Sequence, residues 1–365
     1  MIDSTSIMYA PKTKESKKID RVNLRKIVLL GLIIFLIFSI FAGILNGASN
    51  VSFFDFLYVT LTQDFSVSSK TRDYLVLIDI RLPRVILGLL IGSALAVSGV
   101  LMQGLFRNPL ADPGIVGVSA GAGLGAVLAI VVGIAFPASL AHLLEPYNVI
   151  IGAFLGGLLS TIILYTIATR HNFTSIATML LAGIALGALS SAVVGTLIFI
   201  ANDQQLRDIT FWSLGSLAGA TWLKVWLVLP FICVGLLFSP LLSRALNALA
   251  LGEAVAGHIG FHIQNIKNIA ILLVALMCGS AVAVSGGIGF IGIVVPHILR
   301  QLIGPDHRYL IPCSALLGAA LLIFADTFAR LIVAPAELPI GIVTALFGAP
   351  FFLWILICKR GTNFS

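Results

Sequence analysis

Apolar residues follow one another along most of this chain in runs of about twenty, separated by short polar or Gly- and Pro-containing breaks. A bilayer core about 30 Å thick is crossed by roughly 20 helical residues, whereas barrel strands are about half as long and alternate apolar with polar positions. The pattern therefore predicts an all-α polytopic membrane protein. We place ten transmembrane helices near residues 27–46, 84–105, 115–136, 149–169, 177–200, 222–242, 267–285, 288–304, 309–330 and 340–357.

Composition excludes a soluble protein. The 365 residues are 59% hydrophobic and 10% charged, whereas soluble domains are about 45–50% apolar and about 25% charged. The net charge of +7 does not indicate nucleic acid, because seven of the 22 Lys and Arg lie in the first 26 residues, as a basic flank on the first span. The single cysteines Cys233, Cys278, Cys313 and Cys358 predict neither disulfides nor a zinc site, and we interpret them as small lipid- or core-facing residues.

The distribution of basic residues between the connections predicts the orientation. With the amino terminus inside, fifteen Lys and Arg fall on the cytoplasmic side and seven on the other, so both termini are predicted to be cytoplasmic. The first apolar run is longer than the roughly 7–15 residues of a signal-peptide core, and we interpret it as a retained span. The predicted organisation is a cytoplasmic basic tail at 1–26, a ten-helix domain at 27–358 with a long cytoplasmic loop at 243–267, and a cytoplasmic tail at 359–365.

Glycines recur at small-xxx-small spacing, which predicts close contacts between membrane helices. These sets are Gly88/Gly92, Gly117/Gly121/Gly125, Gly152/Gly156, Gly183/Gly187 and Gly215/Gly219. A short echo, Ala-Val-Ser-Gly at 96–99 and again at 283–286, lies on helices of opposite predicted direction. Such an echo is typical of inverted-repeat transporters.

Three classes of membrane protein are compatible with these spans: an ion-coupled carrier, a membrane-embedded enzyme, and the pathway subunit of a machine driven by another chain. A proton-coupled carrier buries ionisable groups at mid-membrane, but only Asp326 lies well within a span, with Arg330 as its expected i,i+4 partner. His258 and His262 lack the glutamate of H-E-x-x-H, and His297 is expected to be a packed histidine, so no metal site is predicted. No G-x-x-x-x-G-K-[ST] loop occurs, and we predict no enzymatic activity.

The third class has positive support in the 243–267 loop. Its stretch from Asn247 to Gly260 is small, apolar and helix-forming, with Glu253 as its only charge. Because exposed apolar patches mark interfaces, this stretch predicts a cytoplasmic protein partner. An extension of a span, or a position on the lipid interface, is the alternative.

Several motifs, in this order between about Leu75 and Leu356, carry a family resemblance: Arg81-Leu-Pro-Arg84, Arg107-Asn-Pro-Leu-Ala-Asp-Pro-Gly114, Leu251-Gly-Glu253, Pro296-His-Ile-Leu-Arg300, Asp306-His-Arg308 and Ala336-Glu-Leu-Pro-Ile-Gly341. Together they resemble the permeases of bacterial ABC importers for iron-siderophore, haem and vitamin B12. The resemblance implies the type II importer permease fold, an inverted repeat of ten helices in the inner membrane, paired as a homodimer around a central pathway. It also implies two separate cytoplasmic ATPase subunits that hold ATP and magnesium, a periplasmic substrate-binding protein, and no cofactor on this chain.

The resemblance further implies roles for individual residues. Those matching the family's contacts with the binding protein are Arg81, Arg84 and Arg330. Those matching the helices that couple to the ATPase are Ala250, Leu251, Gly252, Glu253, Gly257 and Gly260. We expect Gly252 and Gly257 at the reversal between two short helices. Glu253 is expected either to cap a helix or to pair with an ATPase arginine. The cytoplasmic gate matches Ser175, Ile176 and Ala177, although Ile176 and Ala177 depart from the family's small hydroxyl residues, and the pathway matches Gln103, Asn108 and Pro109.

The predicted cargo also comes from the resemblance. Asp112-Pro-Gly, Gly304-Pro-Asp-His-Arg308 and the run from Ala334 to Thr344 are most similar to the haem-importing branch. Haem is therefore the predicted cargo, ferric siderophore the first alternative and cobalamin the second. An ion-coupled secondary transporter is the less favoured alternative class.

Overall fold

A computed structural model describes residues 16–47, 52, 61–62, 68–133, 147–170, 173–334 and 336–360. Within these ranges the chain is helical apart from its connections and one antiparallel hairpin, β1 (Thr169–Arg170) and β2 (Phe173–Thr174). Seven helices there are long and apolar enough to cross a membrane, and three shorter apolar helices bring the number to ten. The all-α fold is confirmed, and the ten helices match the ten predicted spans one to one.

The helices are numbered here in chain order. Residues Ser68–Leu75 and a π-helical segment, Val76–Arg81, lead without interruption into α2. The helices are α1 (Ser16–Leu45), α2 (Leu82–Leu105), α3 (Val118–Val132), α4 (Asn148–Ala168), α5 (Ile176–Ile200), α6 (Asp203–Leu214), α7 (Trp222–Phe238), α8 (Ser243–Leu249), α9 (Glu253–His258), α10 (Ile263–Ser285), α11 (Ile291–Ile303), α12 (His307–Ile332) and α13 (Ile340–Arg360). Following the predicted orientation, we call the end of the bundle that holds Leu45 and Arg330 the outer end and the end that holds α9 the inner end.

The first two spans begin earlier than predicted. α1 starts at Ser16, so residues 16–26 of the predicted tail are helical, since Lys and Arg are good helix formers. Helix also precedes α2 from Ser68, although the charged residues there predict a connection. Residues 1–15 and 361–365 of the two predicted tails lie outside the described residues.

The core lies around α2. The apolar windows that include α2, α10 and α12 are 89%, 78% and 67% buried inside the protein, whereas those of α1 and α5 are only 17% and 11% buried. Large apolar side chains on α5, such as Leu181, Ile184 and Phe199, are exposed, so this helix lies on the surface of the bundle. The Ala-Val-Ser-Gly echo falls on the two most buried of these helices, inside α2 and at the end of α10.

The predicted glycine contacts are confirmed in two helix pairs. A Cβ added to Gly92 of α2 would lie 2.3 Å from the carbonyl oxygen of Gly318 on α12. A Cβ on Gly121 of α3 would meet the Gly156 carbonyl oxygen of α4 at the same distance, 2.3 Å. A Cβ added to Gly187 would have no neighbour within 4 Å, so no other described helix of this chain packs closely at that position of α5.

Three connections meet backbone to backbone, beside the outer end of α10. A Cβ on Gly215 would lie 2.3 Å, and one on Gly341 2.8 Å, from the Gly287 carbonyl oxygen. The amide of Ser216 donates to the Ser285 carbonyl at 2.8 Å, and that of Gly341 to the Gly215 carbonyl at 3.3 Å. This glycine seam, formed by Gly215, Gly287 and Gly341, fastens the connection after α6 to the end of α10 and the start of α13.

The predicted divider between the seventh and eighth spans is confirmed. α10 ends at Ser285, and Gly286 has a φ of 71°, a conformation that favours glycine. Residues 286–290 are not helical, and α11 starts after Phe290, whose φ is 68°.

Candidate docking, coupling and pathway sites

An ion-pair cluster lies at the outer end, between α2 and α12. The Arg84 guanidinium donates from Nε to both carboxylate oxygens of Asp326 at 3.1 and 2.9 Å, and from Nη2 to Oδ1 at 2.9 Å. Its Nη1 lies 3.0 Å from Glu337, which follows α12. Arg330 Nε lies 3.2 Å from Asp326 Oδ2, so the i,i+4 pair predicted from the sequence is present. Arg84 nevertheless makes the closer, bidentate contact, the geometry in which arginine binds carboxylates most strongly.

Arg330 of this cluster and the neighbouring Arg81 hold the end of α1. Arg81 Nη1 donates to the carbonyl oxygens of Ile44 and Leu45, both at 2.8 Å. Arg330 donates to the carbonyl oxygens of Gly43 at 3.1 Å and Asn46 at 3.2 Å. The last carbonyls of a helix have no intrahelical partner and carry partial negative charge, so cations there stabilise the helix end.

The three arginines that match the family's contacts with the binding protein are buried. Arg81, Arg84 and Arg330 are only 3%, 5% and 5% exposed, because each is used within the chain. The sequence predictions did not identify Glu337 as a partner of Arg84. A binding protein that paired directly with Arg84 would have to displace Glu337, whose side chain is 39% exposed.

The coupling segment at the inner end consists of α8, the turn at 250–252, and α9. Gly252 and Gly260 have φ values of 119° and 101°, so they form the reversals on either side of α9. The prediction for Gly257 is wrong, since it lies inside α9, where the chain does not reverse. Apolar side chains of this segment face outward: Leu251 is 69%, Val255 42% and Ile259 58% exposed.

Glu253, the first residue of α9, makes an ion pair within the chain. Its carboxylate lies 3.0 Å from Nζ of Lys267, on α10. The carboxylate accepts a hydrogen bond from Lys267, and it also lies in the first turn of α9, where a negative charge stabilises the helix. Within this chain the ion-pair partner of Glu253 is Lys267, whereas the second alternative predicted an arginine of the ATPase as its partner.

The predicted gate residues lie beside this ion pair. Ser175 follows β2 and begins α5, where its Oγ accepts a hydrogen bond from the amide of Thr178 at 3.3 Å. Ile176 packs against the core, and Ala177 is exposed. Lys267 Nζ also donates to the Thr174 carbonyl at 3.1 Å. The structure thus brings the coupling segment and residues 173–177, which we call the gate segment, together on α10.

A second contact joins α8 to the start of α12. The Asn247 side chain donates to Asp306 Oδ1 at 2.8 Å and accepts the backbone N–H of His307 at 3.0 Å. Hydrogen bonds from Arg308 hold the pKa of Asp306 well below its usual value, against the opposing effect of burial and with help from Asn247. The sequence predictions overlooked Asn247 and His307, although the letters Asp-His-Arg carried part of the resemblance.

The predicted pathway residues lie in different surroundings. Gln103 is buried, donates to the Gly292 carbonyl at 3.1 Å and accepts from Arg300, so it ties α2 to α11. Asn108 is exposed, and its side chain accepts the amide of Leu110 at 3.0 Å, closing the turn that contains Pro109.

A cavity of about 280 Å³ lies nearby, between the loop before α3 and the break before α11, and it is lined by Asp112, Ser119 and Cys278 among others. Burial raises the pKa of the Asp112 carboxyl, while the amide of Gly114 acts in the opposite direction. Cys278 and Cys313 are buried and Cys233 is exposed on α7, as predicted; the side chain of Cys358 lies outside the described residues.

Comparison with known proteins decides the family. The profile of the FecCD transport family matches residues 32–358, from within the first span to the end of the tenth predicted span. The chain belongs to the FecCD transport family. It is thus a permease of the bacterial ABC importers for iron-siderophore, haem and vitamin B12, whose ATP-hydrolysing subunit is a separate chain.

Individual FecCD relatives cover most of the chain. The hemin transport system permease protein HmuU of Yersinia pestis is 46% identical over 318 residues, 86% of this chain and 92% of that protein. The vitamin B12 import system permease protein BtuC of Escherichia coli O17:K52:H18 is 44% identical over 289 residues, 79% of this chain and 86% of that protein. Among solved structures, an inward-facing metal-chelate type ABC transporter is 32% identical with a TM-score of 0.77, covering 92% of this chain and 99% of that one.

Proposed function

We propose that this chain forms the pathway of an ATP-driven importer that moves haem across the bacterial inner membrane into the cytoplasm. The observation that carries the importer mechanism is the exposed apolar face of the coupling segment, formed by Leu251, Val255 and Ile259. An apolar face of this kind on a helical segment is a docking surface, and in this family the partner is the ATPase. Both termini then lie in the cytoplasm, with two ATPase subunits beneath a permease homodimer.

Support for haem as cargo comes from the match with the hemin permease HmuU, at 46% identity over 92% of that protein. The vitamin B12 permease BtuC, at 44% identity, supports cobalamin as an alternative. The similar metal-chelate type transporter supports ferric siderophore. A pathway that binds its cargo weakly serves any of these ligands, since cargo has to leave as well as enter.

The test of cargo and energy source is uptake by the reconstituted complex. Permease, ATPase and binding protein from the same genome are placed in proteoliposomes and supplied with haemin, a ferric siderophore or cobalamin, with and without internal ATP. We expect ATP-dependent uptake of haemin. Uptake of another ligand and not of haemin would reject haem as the cargo. ATP-independent uptake by the purified permease would reject the ATP-driven mechanism in favour of a secondary transporter.

Docking of the binding protein at the outer end is the second part of the proposal. Arg84 pairs with the buried Asp326 and with the partly exposed Glu337, so an acidic side chain of the binding protein would compete with Glu337 for this arginine.

We expect Glu337→Gln to tighten binding-protein affinity, because it removes the more exposed of the two negative charges without opening the Arg84–Asp326 pair. Asp203→Asn, at an exposed carboxylate that starts α6, is the matched control. Affinity is measured by titration at two salt concentrations, since screening weakens exposed charge pairs. Equal affinities for wild type and Glu337→Gln would reject docking at this cluster.

A further inference from the structure

Lys267 is an ammonium group buried at a junction of three segments. Its side chain is 2% exposed, although it lies near the inner end of α10, five residues into the helix. Nζ lies 3.0 Å from the Glu253 carboxylate and 3.1 Å from the Thr174 carbonyl oxygen, and 5.1 Å from the ring centroid of Phe173. One cation therefore binds α9 of the coupling segment and β2 of the gate segment at the same time.

The gate segment is also fixed to α10 by neutral contacts. Gln264 accepts the Thr174 amide at 3.1 Å and donates to Thr174 Oγ1 at 2.6 Å. It donates as well to Asn268 at 2.9 Å, which accepts from Tyr165 of α4 at 2.7 Å. These contacts hold β2 against α10, but none of them reaches α9, so among these bonds only the Lys267 pair extends to the coupling segment.

Because Lys267 is buried, separating α9 from it costs free energy. An ammonium removed from water is stable only while it is paired, and breaking such a pair leaves an uncompensated buried charge. When α9 moves, Lys267 either follows Glu253, and shifts the Thr174 carbonyl that it also binds, or loses its counter-charge. The Asn247 contact with His307 leads from α8 to α12 instead, away from the gate segment.

We propose that Lys267 is the positioning residue that transmits movement of α9 to the segment before α5. On the proposed function, α9 sits on the ATPase, so closure of the ATPase pulls Glu253, and Lys267 conveys that displacement through Thr174 to Ser175 and the first turn of α5. The Glu253–Lys267 pair thus couples ATP hydrolysis to opening at the gate, and it does so within one permease chain.

The first test separates transport from ATP hydrolysis in the reconstituted complex. Lys267→Met keeps the aliphatic stem and removes the charge; we expect the complex to assemble and hydrolyse ATP while cargo moved per ATP falls by about tenfold or more. Lys267→Arg, which keeps the charge, restores part of the ratio. The matched control is Lys224→Met at the start of α7, outside the pair. Unchanged cargo per ATP in Lys267→Met would overturn the proposal.

The second test measures the movement itself. Spin labels at the exposed Ala177 report the distance across the permease dimer, with and without a trapped ATP state. We expect a distance change in wild type and Lys224→Met and none in Lys267→Met; an undiminished change in Lys267→Met overturns the proposal. If Lys267→Met does not insert, Glu253→Gln gives the same test from the partly exposed partner, whose loss also removes the ion pair. A wild-type complex without ATP-dependent uptake would instead reject the proposed function.

Discussion

The ion pair between Arg84 and Asp326 predicts a specific loss of stability. Asp326→Asn keeps the size of the side chain but removes a carboxylate that accepts three hydrogen bonds from Arg84 and lies 3.2 Å from Arg330. The amide can accept some of these bonds, but its own N–H groups then face the donors of a guanidinium. Both partners are almost fully buried, with 6% and 5% of their side chains exposed, so water cannot replace the lost contacts.

The magnitude follows from the burial. Removing one partner of a buried pair costs about 3–5 kcal/mol. Glu337 still neutralises Arg84, so we expect the lower end, about 3 kcal/mol, or roughly a hundredfold in the unfolding equilibrium. Reversible unfolding in mixed micelles measures this difference. Asp79→Asn, at an exposed carboxylate just before α2, is the control and should change stability by less than about 0.5 kcal/mol. Equal stabilities of Asp326→Asn and wild type would refute the structural role given to this cluster.

Three further predictions concern other parts of the bundle. Gly99→Ala would place a Cβ 1.9 Å from the Gly292 carbonyl oxygen, so α2 and α11 must separate, and we expect about 1–3 kcal/mol of destabilisation in the same unfolding assay. The control Gly187→Ala adds a Cβ with no neighbour within 4 Å and should not destabilise the protein. Equal stabilities of the two variants would argue against the close crossing of α2 and α11. Gly252→Trp forces a φ of 119° on a bulky residue at the reversal before α9, so the permease should insert but lose cargo transport per ATP hydrolysed; normal uptake would contradict the coupling role. Because Arg308 lowers the pKa of Asp306, the stabilisation by this carboxylate is present above about pH 4 and is lost as the pH falls below that value towards the lowered pKa. Asp306→Asn should therefore reduce the acid dependence of the unfolding midpoint, and an identical dependence in both proteins would exclude this contribution.

The spans could be predicted from the sequence because the membrane imposes length and composition locally. Breaks such as Ser285-Gly286-Gly287 could be predicted, since a helix end often needs a residue with positive φ, which favours glycine. The glycine contacts of α2 with α12 and α3 with α4 were predicted from spacing, but the same spacing also includes Gly187, where an added Cβ would have no neighbour within 4 Å. Spacing shows that a close approach is possible and does not show which face receives a neighbour.

The roles of the charged residues could not be predicted in this way. Arg84 and Asp326 are 242 residues apart, and Lys267 lies 93 residues from Thr174, so no local pattern pairs them. In the sequence Lys267 is one more basic residue at the cytoplasmic edge of a span, and the three arginines are predicted only as contacts of a binding protein. Burial depends on which helices meet, and that is a property of the folded bundle.

The glycine seam at residues 215, 287 and 341 also sets an order on biosynthesis. Domains generally form from the amino terminus as the chain is made, yet the connection after α6 is fastened by segments that are synthesised roughly seventy and more than a hundred residues later. The contacts of the glycine seam therefore cannot all form until the residues that begin α13 have been synthesised. A chain that stops before Gly341 would contain nine spans and still lack the hydrogen bond that joins the connection after α6 to α13.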